Sequence, residues 1–366
     1  MSRDVTRIGI VGCGNICGIY FKNAAWMENV RITRCTDLVA DKAAAVSSEH
    51  GCEACGTQEL LESDDVDVVL NLTIPKAHYS VAKAALDAGK HVYNEKPLAM
   101  DRREARELMD LAAKRDLRIG CAPDTFLGAG LQTCREIIDR GDIGEPIGAT
   151  AFMGCPGHER WHPAPDFYYK PGGGPMLDMG PYYVTALVSL LGPIRRVAGV
   201  TRRGRNPRVV GSGPREGEKV EVEVPTHITG LLDFKSGTAA TIVTSFDVWG
   251  HNCPRIEIYG TEGSLSCGDP NMFFGPVKVK RGGDDWQDVE LERPYAENSR
   301  CLGVADMGAA VAADRPHRCN DQLAFHVLDV MLAVYDSSES GEYVELTSTV
   351  DRPAPLPADL EEGKID

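Results

Sequence analysis

Glu95, Lys96 and Pro97 end the segment GKHVYNEKP and bring an acid, an ammonium group and a rigid turn to one point, just past the apolar run His91 to Tyr93. If that run is a strand of an open α/β sheet, its carboxyl end is where ligands bind. Pro97 restricts the backbone beside Lys96, so the ammonium is held where a reacting group can use its charge. Alone, E-K-P is a common surface tripeptide. Its meaning depends on what surrounds it.

A second constellation lies in GGGPMLDMGPYYVTALVSLLG, where Asp178 and Tyr182 stand four residues apart. A helix starting at or before Asp178 puts both on one face, and Pro181 is tolerated there only within a first turn. The glycine run Gly172 to Gly174 permits close approach to a cofactor or to another strand. A phenol with a pKa of about 10 is a poor base, but a nearby ammonium stabilises the tyrosinate and lowers that value by a unit or more. Lys96 is the candidate for that charge. Such a pair can take a hydroxyl proton while hydride leaves the same carbon for a nicotinamide. This chemistry is expected between two domains. The competing reading makes Tyr182 a core aromatic of an amphipathic helix.

These groups need a scaffold, and the opening TRIGIVGCGNICGIY reads as a buried strand, a glycine turn and a helix start. Gly12 allows the tight turn, Gly14 admits a pyrophosphate to the helix N-terminus, and Asn15 and Ile16 complete the loop. Cys17 stands where the fingerprint has its third glycine, with Gly18 after it. The strand RITRCTD ends at Asp37, at the spacing where an acid meets the adenosine ribose hydroxyls. An acid there repels a 2′-phosphate, so NAD is expected rather than NADP. A helix from Ala40 to His50, the strand DVDVVLNLTIP, the amphipathic HYSVAKAALDAG, the E-K-P strand, the helix DRREARELMDLAAKRD and the strand RIGCA continue the alternation, which implies a doubly wound parallel sheet. Thr73 and Pro75, at the end of their strand, are placed in the cofactor cleft. His78 joins them or is a solvated residue of a first helical turn.

After Ala122 the pattern changes. LQTCREIIDRGDIG reads as a helix, Cys155 to Gly174 as a loop, and Asp178 to Leu191 as a second helix. KVEVEV, THITGLLDF, TAATIVTSFDVW, RIEIYG, GSLSC and VKVKR follow as strands, with a helix in DQLAFHVLDVMLAVYDSS. The expected fold is therefore α/β. A Rossmann domain with a doubly wound parallel sheet spans 1–122, and an α+β domain on a predominantly antiparallel sheet spans 123–366.

Composition narrows the classes. At 366 residues about two domains are expected, and 43% hydrophobic residues are ample for two cores. A net charge of −15 argues against nucleic acid or an anionic membrane as partner. Arg195, Arg196, Arg202, Arg203, Arg205 and Arg208 form a local basic stretch without interleaved aromatics, read as a solvated loop. No apolar run approaches the roughly 20 residues of a membrane span. The start MSRDVTR runs into the first strand, so no signal peptide is expected. Twelve cysteines are scattered through strands and helices as small hydrophobes. Cys52-x-x-Cys55 lacks a partner pair, so the reading is a reduced, cytoplasmic chain without zinc.

Substrate contacts are expected from CPGHERWHPAPDFYY, which offers His158, Trp161 and His162, and from CAPDTF, which offers Asp124 and Thr125. Aromatic faces for apolar sugar surfaces, with carboxylates and imidazoles for hydroxyls, suit a carbohydrate. A purely structural loop remains the alternative for each. His158 to His162 also spells H-E-x-x-H, but the zinc-protease motif requires a helix, and Pro156, Gly157, Pro163 and Pro165 leave little room for one.

The loop at Gly12 to Ile16, E-K-P at 95–97 and GGG-x-x-x-D-x-G ending at Gly180 resemble the glucose–fructose oxidoreductase/inositol dehydrogenase (Gfo/Idh/MocA) family. The resemblance implies a C-terminal open-faced sheet that packs into homo-oligomers, a dimer or tetramer, and NAD(P)-dependent oxidation or reduction at a carbon of a sugar or polyol. It matches Lys96 to the family's catalytic lysine and Asp178 to its helix acid. Many members carry His at the position of Tyr182 and an acid at that of Thr185. Tyrosine is similar to the glucose–fructose oxidoreductase and dihydrodiol dehydrogenase branches, and Thr185 weighs against a myo-inositol dehydrogenase. Two alternatives stay open: a sugar–sugar oxidoreductase that retains its cofactor, and a non-catalytic NAD- or sugar-sensing regulator.

Overall fold

A computed structural model describes residues 5–366. The chain divides into two compact units. The first holds the residues up to Ala129 together with Arg293–Phe325 and Pro353–Asp366; the second holds Gly130–Glu292 and His326–Arg352.

In the first unit, strands β1 (Thr6–Val11), β2 (Val30–Thr36), β3 (Glu53–Ala54), β4 (Val68–Asn71), β5 (His91–Asn94) and β6 (Ile119–Cys121) alternate with helices α1 (Cys17–Ala24), α2 (Ala40–His50), α3 (Thr57–Glu62), α4 (Pro75–Asp87) and α5 (Arg102–Lys114). The sheet order is β3-β2-β1-β4-β5-β6, and each neighbouring pair is parallel. The order reverses between β1 and β4, the switch point at which such sheets bind ligands. The local causes are visible in sequence. Ile8 and Ile10 are fully buried. Gly51 and Gly89 take positive φ just after α2 and α4, the left-handed stop that glycine permits. Asp101 caps α5 by accepting the Glu104 amide at 2.8 Å.

The second unit holds a nine-stranded sheet. After α6 (Ala129–Asp139) come β7 (Pro146–Gly154), α7 (Pro175–Leu191), β8 (Ile194–Arg202), β9 (Arg208–Val209), β10 (Lys219–Val220), β11 (His227–Phe234), β12 (Ala239–Ser245), β13 (Ile256–Gly260), β14 (Gly263–Cys267), β15 (Val277–Arg281) and β16 (Gln287–Val289). Then follow α8 (Leu302–Ala312), which belongs to the first unit, α9 (Asp321–Ser340) and β17 (Val344–Glu345). The order is β16-β15-β14-β13-β7-β12-β11-β8-β17; only β7 and β12 run parallel. One face is covered: a Cβ at Gly199 on β8 would lie 2.5 Å from the Val334 carbonyl of α9. The other face is open, with Val200, Leu231 and Ile147 substantially exposed. Among the described residues no helix is long and apolar enough to cross a membrane.

Four expectations change. The first concerns the assignment of everything after residue 122 to the second domain. Residues 293–325 and 353–366 return to the first unit, because buried polar groups tie them there. The Cys121 amide donates to the Cys319 carbonyl at 2.9 Å, and Asn23 donates to the carbonyls of Asn298 and Arg300. The arginine stretch is a solvated loop only in part, at Arg203, which is exposed beyond β8. Arg195, Arg196 and Arg202 lie on β8, where Asp233 accepts from the first two, and Arg208 is buried. The helix of Asp178 begins at Pro175, so Pro181 sits in its interior. Gly180 before it lacks the Cβ that would clash with the proline ring. The run KVEVEV forms only a two-residue strand.

Candidate active site

At the switch point, Gly12 has φ +105°, and a Cβ there would lie 2.9 Å from the Leu72 carbonyl carbon, so only glycine fits between β1 and β4. Gly14 has nothing within 4 Å of where a Cβ would stand, and Gly14 and Asn15 are exposed, with Ile16 half-buried. Helix α1 starts just beyond, with no side-chain cap and no acid in its first turn. The Cys17 amide at its start donates to the Gly14 carbonyl at 3.1 Å, and the positive pole of the helix lies at the place a pyrophosphate takes. Cys17 is buried at the third fingerprint position. Asp37 accepts the Cys13 amide on Oδ2 and the Val39 amide on Oδ1, both at 2.8 Å. Each oxygen keeps a lone pair for a ribose hydroxyl. Leu38, Val39 and Ile74 are exposed apolar side chains at the ends of β2 and β4. This loop, acid and apolar rim fit an NAD adenosine and pyrophosphate.

Thr73, Pro75, His78, Glu95 and Lys96 are brought together along the ends of β4 and β5. The Thr73 hydroxyl donates to Asn71 Oδ1 at 2.6 Å, and Asn71 Nδ2 donates to Asn94 Oδ1 at 2.9 Å. Pro75 opens α4 at its first position. His78 is neither solvated nor on a ligand surface: it is fully buried. Its Nδ1 lies 2.7 Å from the Pro97 carbonyl and its Nε2 lies 3.0 Å from that of Thr73. Burial pushes its pKa down, against two carbonyls that favour the charged ring. The imidazole thus ties the Thr73 loop to the E-K-P turn. Glu95 accepts the Tyr20 hydroxyl at 2.9 Å on one oxygen and the Lys96 amide at 3.1 Å on the other. Lys96 itself is half-buried.

Asp124 does not stand on a surface that a substrate reaches. It is 1% exposed, and its Oδ2 accepts the amides of Cys301 at 3.1 Å and Gly303 at 3.0 Å, the start of α8. Burial pushes its pKa up to about 6, against those amides. Its expected contact with substrate is replaced by the capping of a helix.

In the second unit, α7 is buried along its length except at Leu177, Asp178, Met179 and Tyr182. Tyr182 is therefore on an accessible stripe and is not a core aromatic; Tyr183 beside it takes the core position. His158 Nε2 lies 3.1 Å from Asp178 Oδ2. The His158 ring packs edge-on against Trp161 and Tyr168 and tilted against Phe246. His162 contacts Trp161 and Tyr168, and burial lowers its pKa. Trp161 is 59% exposed. Asp178, Tyr182, His158, Trp161 and His162 thus belong to this unit, and the glycine, Asp37 and Lys96 group belongs to the other. The glycine run approaches chain, since a Cβ at Gly173 would lie 2.3 Å from the Phe167 carbonyl oxygen.

Sequence reasoning missed what holds the His158 loop. Glu159 is 3% exposed and accepts from the Tyr169 hydroxyl and from Arg208. Arg208, with a fully buried side chain, also donates to Asp247 at 2.7 Å and to the Phe246 carbonyl at 3.0 Å. Its guanidinium lies over the Tyr169 ring, 5.1 Å from the centroid. The H-E-x-x-H run forms only a three-residue 3₁₀ turn, His158–Arg160. It therefore lacks the helix that would align two imidazoles.

The parallel sheet, its switch point and the glycine loop define a dinucleotide-binding Rossmann fold. Residues 6–122 match the model described as the oxidoreductase family with an NAD-binding Rossmann fold, and residues 131–266 match that of the GFO/IDH/MocA C-terminal domain. The chain belongs to the Gfo/Idh/MocA family. It is 29% identical over 315 residues to dTDP-3,4-didehydro-2,6-dideoxy-alpha-D-glucose 3-reductase of Streptomyces violaceoruber, spanning 84% of this chain and 83% of that one. It is 29% identical over 274 residues to 1,5-anhydro-D-fructose reductase of Ensifer adhaerens, spanning 71% and 75%. The fold is similar to that of levoglucosan dehydrogenase in complex with NADH and L-sorbose. The TM-score is 0.81 at 19% identity, covering 94% of this chain and 99% of that one.

Proposed function

We propose that this oxidoreductase acts on a carbon of a sugar, polyol or related carbohydrate, with Tyr182 as the acid/base and Lys96 as the cation that assists it. The observation that carries the reading is the accessible stripe on α7: in a helix otherwise buried, Leu177, Asp178, Met179 and Tyr182 are partly accessible, and Asp178 is paired with His158. A bound nicotinamide supplies the hydride-exchanging ring. Tyr182 exchanges the proton of the substrate hydroxyl, and the Lys96 charge stabilises the phenolate form. Asp178 and His158 bind and orient hydroxyls, and Trp161 and His162 offer ring faces. The activities of the two reductases above support a carbohydrate carbonyl or carbinol as the reacting group. Asp37 favours NAD over NADP. The second unit carries the substrate groups, and its open sheet face is assigned to a homo-oligomer, a dimer or tetramer, in the cytoplasm.

The test is nicotinamide absorbance against aldoses, polyols, inositols, sugar acids and keto-sugars, in both directions, with Lys96→Ala beside the wild type. The expected outcome is NADH binding unchanged in the variant and turnover lower by about 10²–10⁴-fold. Equal turnover in the variant overturns the assignment of Lys96.

A further inference from the structure

Two guanidinium groups of the second unit converge on one exposed ring. Arg160 and Arg205 each place their central carbon 4.9 Å from the centroid of Trp249, and Trp249 is 67% exposed. Both arginines also line, with Arg208, Pro207 and Gly211, a cleft of about 400 Å³, at the lower end of the range of small-molecule sites.

Charge is unbalanced here. Arg160, Arg205 and Arg208 face two carboxylates, and both of those are committed. Glu159 is held by Arg208 and Tyr169. Asp247 is held by Arg208, by Arg205 and by the Thr226 hydroxyl at 2.6 Å. Nearby, Glu218 and Asp166 pair with Arg215. Among the described residues no carboxylate pairs with Arg160, which packs on the Trp249 indole. In a chain of net charge −15, this is a local positive excess, and like charges held together favour an arriving anion.

The cluster is rigidly placed. The Gly211 amide donates to the Glu159 carbonyl at 2.8 Å, and a Cβ at Gly211 would lie 3.0 Å from the Arg160 Cα. Arg160 also shares the 3₁₀ turn of His158, whose imidazole meets Asp178. The turn therefore presents a hydroxyl-binding histidine and, two residues on, a guanidinium with unused donors. Guanidinium groups match phosphoryl oxygens in bidentate geometry.

We propose that Arg160 and Arg205, oriented by Trp249, form an anion subsite for a phosphoryl group of the substrate, so that the carbohydrate is a phosphorylated or nucleoside-diphosphate-linked sugar. This rests on the carbohydrate oxidoreductase reading and narrows its substrate class.

The test uses full-length protein saturated with NADH, so that the nucleotide site is filled, titrated calorimetrically with inorganic pyrophosphate, thymidine diphosphate and a sugar monophosphate. Saturable, salt-sensitive binding is expected, weakened about 10- to 100-fold in Arg160→Gln and also weakened in Trp249→Leu. Both residues are exposed, so both variants are expected to fold, and their melting curves check this. Tighter binding of thymidine diphosphate than of pyrophosphate assigns a nucleotide-linked sugar, and similar affinities for pyrophosphate and sugar phosphate assign a sugar phosphate. No binding, or equal binding to Arg160→Gln, overturns the subsite. NADH titration of the same samples reports on the first unit: failure there counts against the oxidoreductase reading and leaves the subsite to be judged by its own arm.

Discussion

The His158 imidazole lies 3.1 Å from the Asp178 carboxylate, joining a 3₁₀ turn to the first turns of α7. Each group limits the rotamers of the other, so a hydroxyl arriving at either meets a preset donor or acceptor. Asp178→Asn keeps the shape and removes the charge. Its kcat/KM for the carbohydrate is expected to fall about 10- to 100-fold while NADH affinity is unchanged. Parallel loss of NADH affinity would show that Asp178 supports the fold rather than the substrate.

Asp37 holds the Cys13 and Val39 amides and keeps lone pairs for ribose hydroxyls. A serine there retains one acceptor and removes the charge that repels a 2′-phosphate. Asp37→Ser is expected to weaken NADH binding about tenfold and to strengthen NADPH binding. Titrations with both nucleotides check this, and an unchanged preference would remove Asp37 from the discrimination.

Arg208 is buried between Glu159 and Asp247. Arg208→Met leaves both acids without their shared partner, one of them deeply buried. Such a broken pair costs about 3–5 kcal/mol, which corresponds to a fall in Tm on the order of 10 °C. The double variant Arg208→Met/Glu159→Gln should recover part of it. A melting temperature within a degree or two of wild type would mean that the network contributes nothing net.

Asp124 binds protons more tightly in the folded chain, since burial raises its pKa to about 6 from an unfolded value of about 3.9. Its contribution to stability is therefore fully present below about pH 4 and is lost as pH rises through about 6. Asp124→Asn keeps an acceptor for the Cys301 and Gly303 amides without the titration. Relative to wild type, the variant should gain about 2–3 kcal/mol between pH 4 and pH 7, read from urea unfolding at each pH. A difference that does not change with pH would contradict this.

The local patterns in the chain were enough for the first unit's scaffold. Strand–helix alternation, Gly12, Asp37 and E-K-P each depend on neighbours a few residues away, and the parallel sheet follows from them. The i, i+4 spacing of Asp178 and Tyr182 is likewise local, and the helix forms with both on its accessible stripe. Burial and partnership were not legible, because they depend on residues far along the chain. His78 looked like a solvated first-turn residue, yet it is enclosed between the carbonyls of Thr73 and Pro97. Asp124 looked like a substrate ligand, but the amides of a helix nearly 180 residues later claim it.

β8 was hidden because its arginines read as solvent-exposed, and only pairing with β11, where Asp233 accepts from two of them, makes a strand of that stretch. The amino-acid sequence by itself determined the nucleotide fold, its glycine loop and the residue types available for chemistry. The tertiary structure decided which acids are buried, what anchors the His158 loop and where the arginines gather, because desolvation and ion pairing are set by which distant segments pack together.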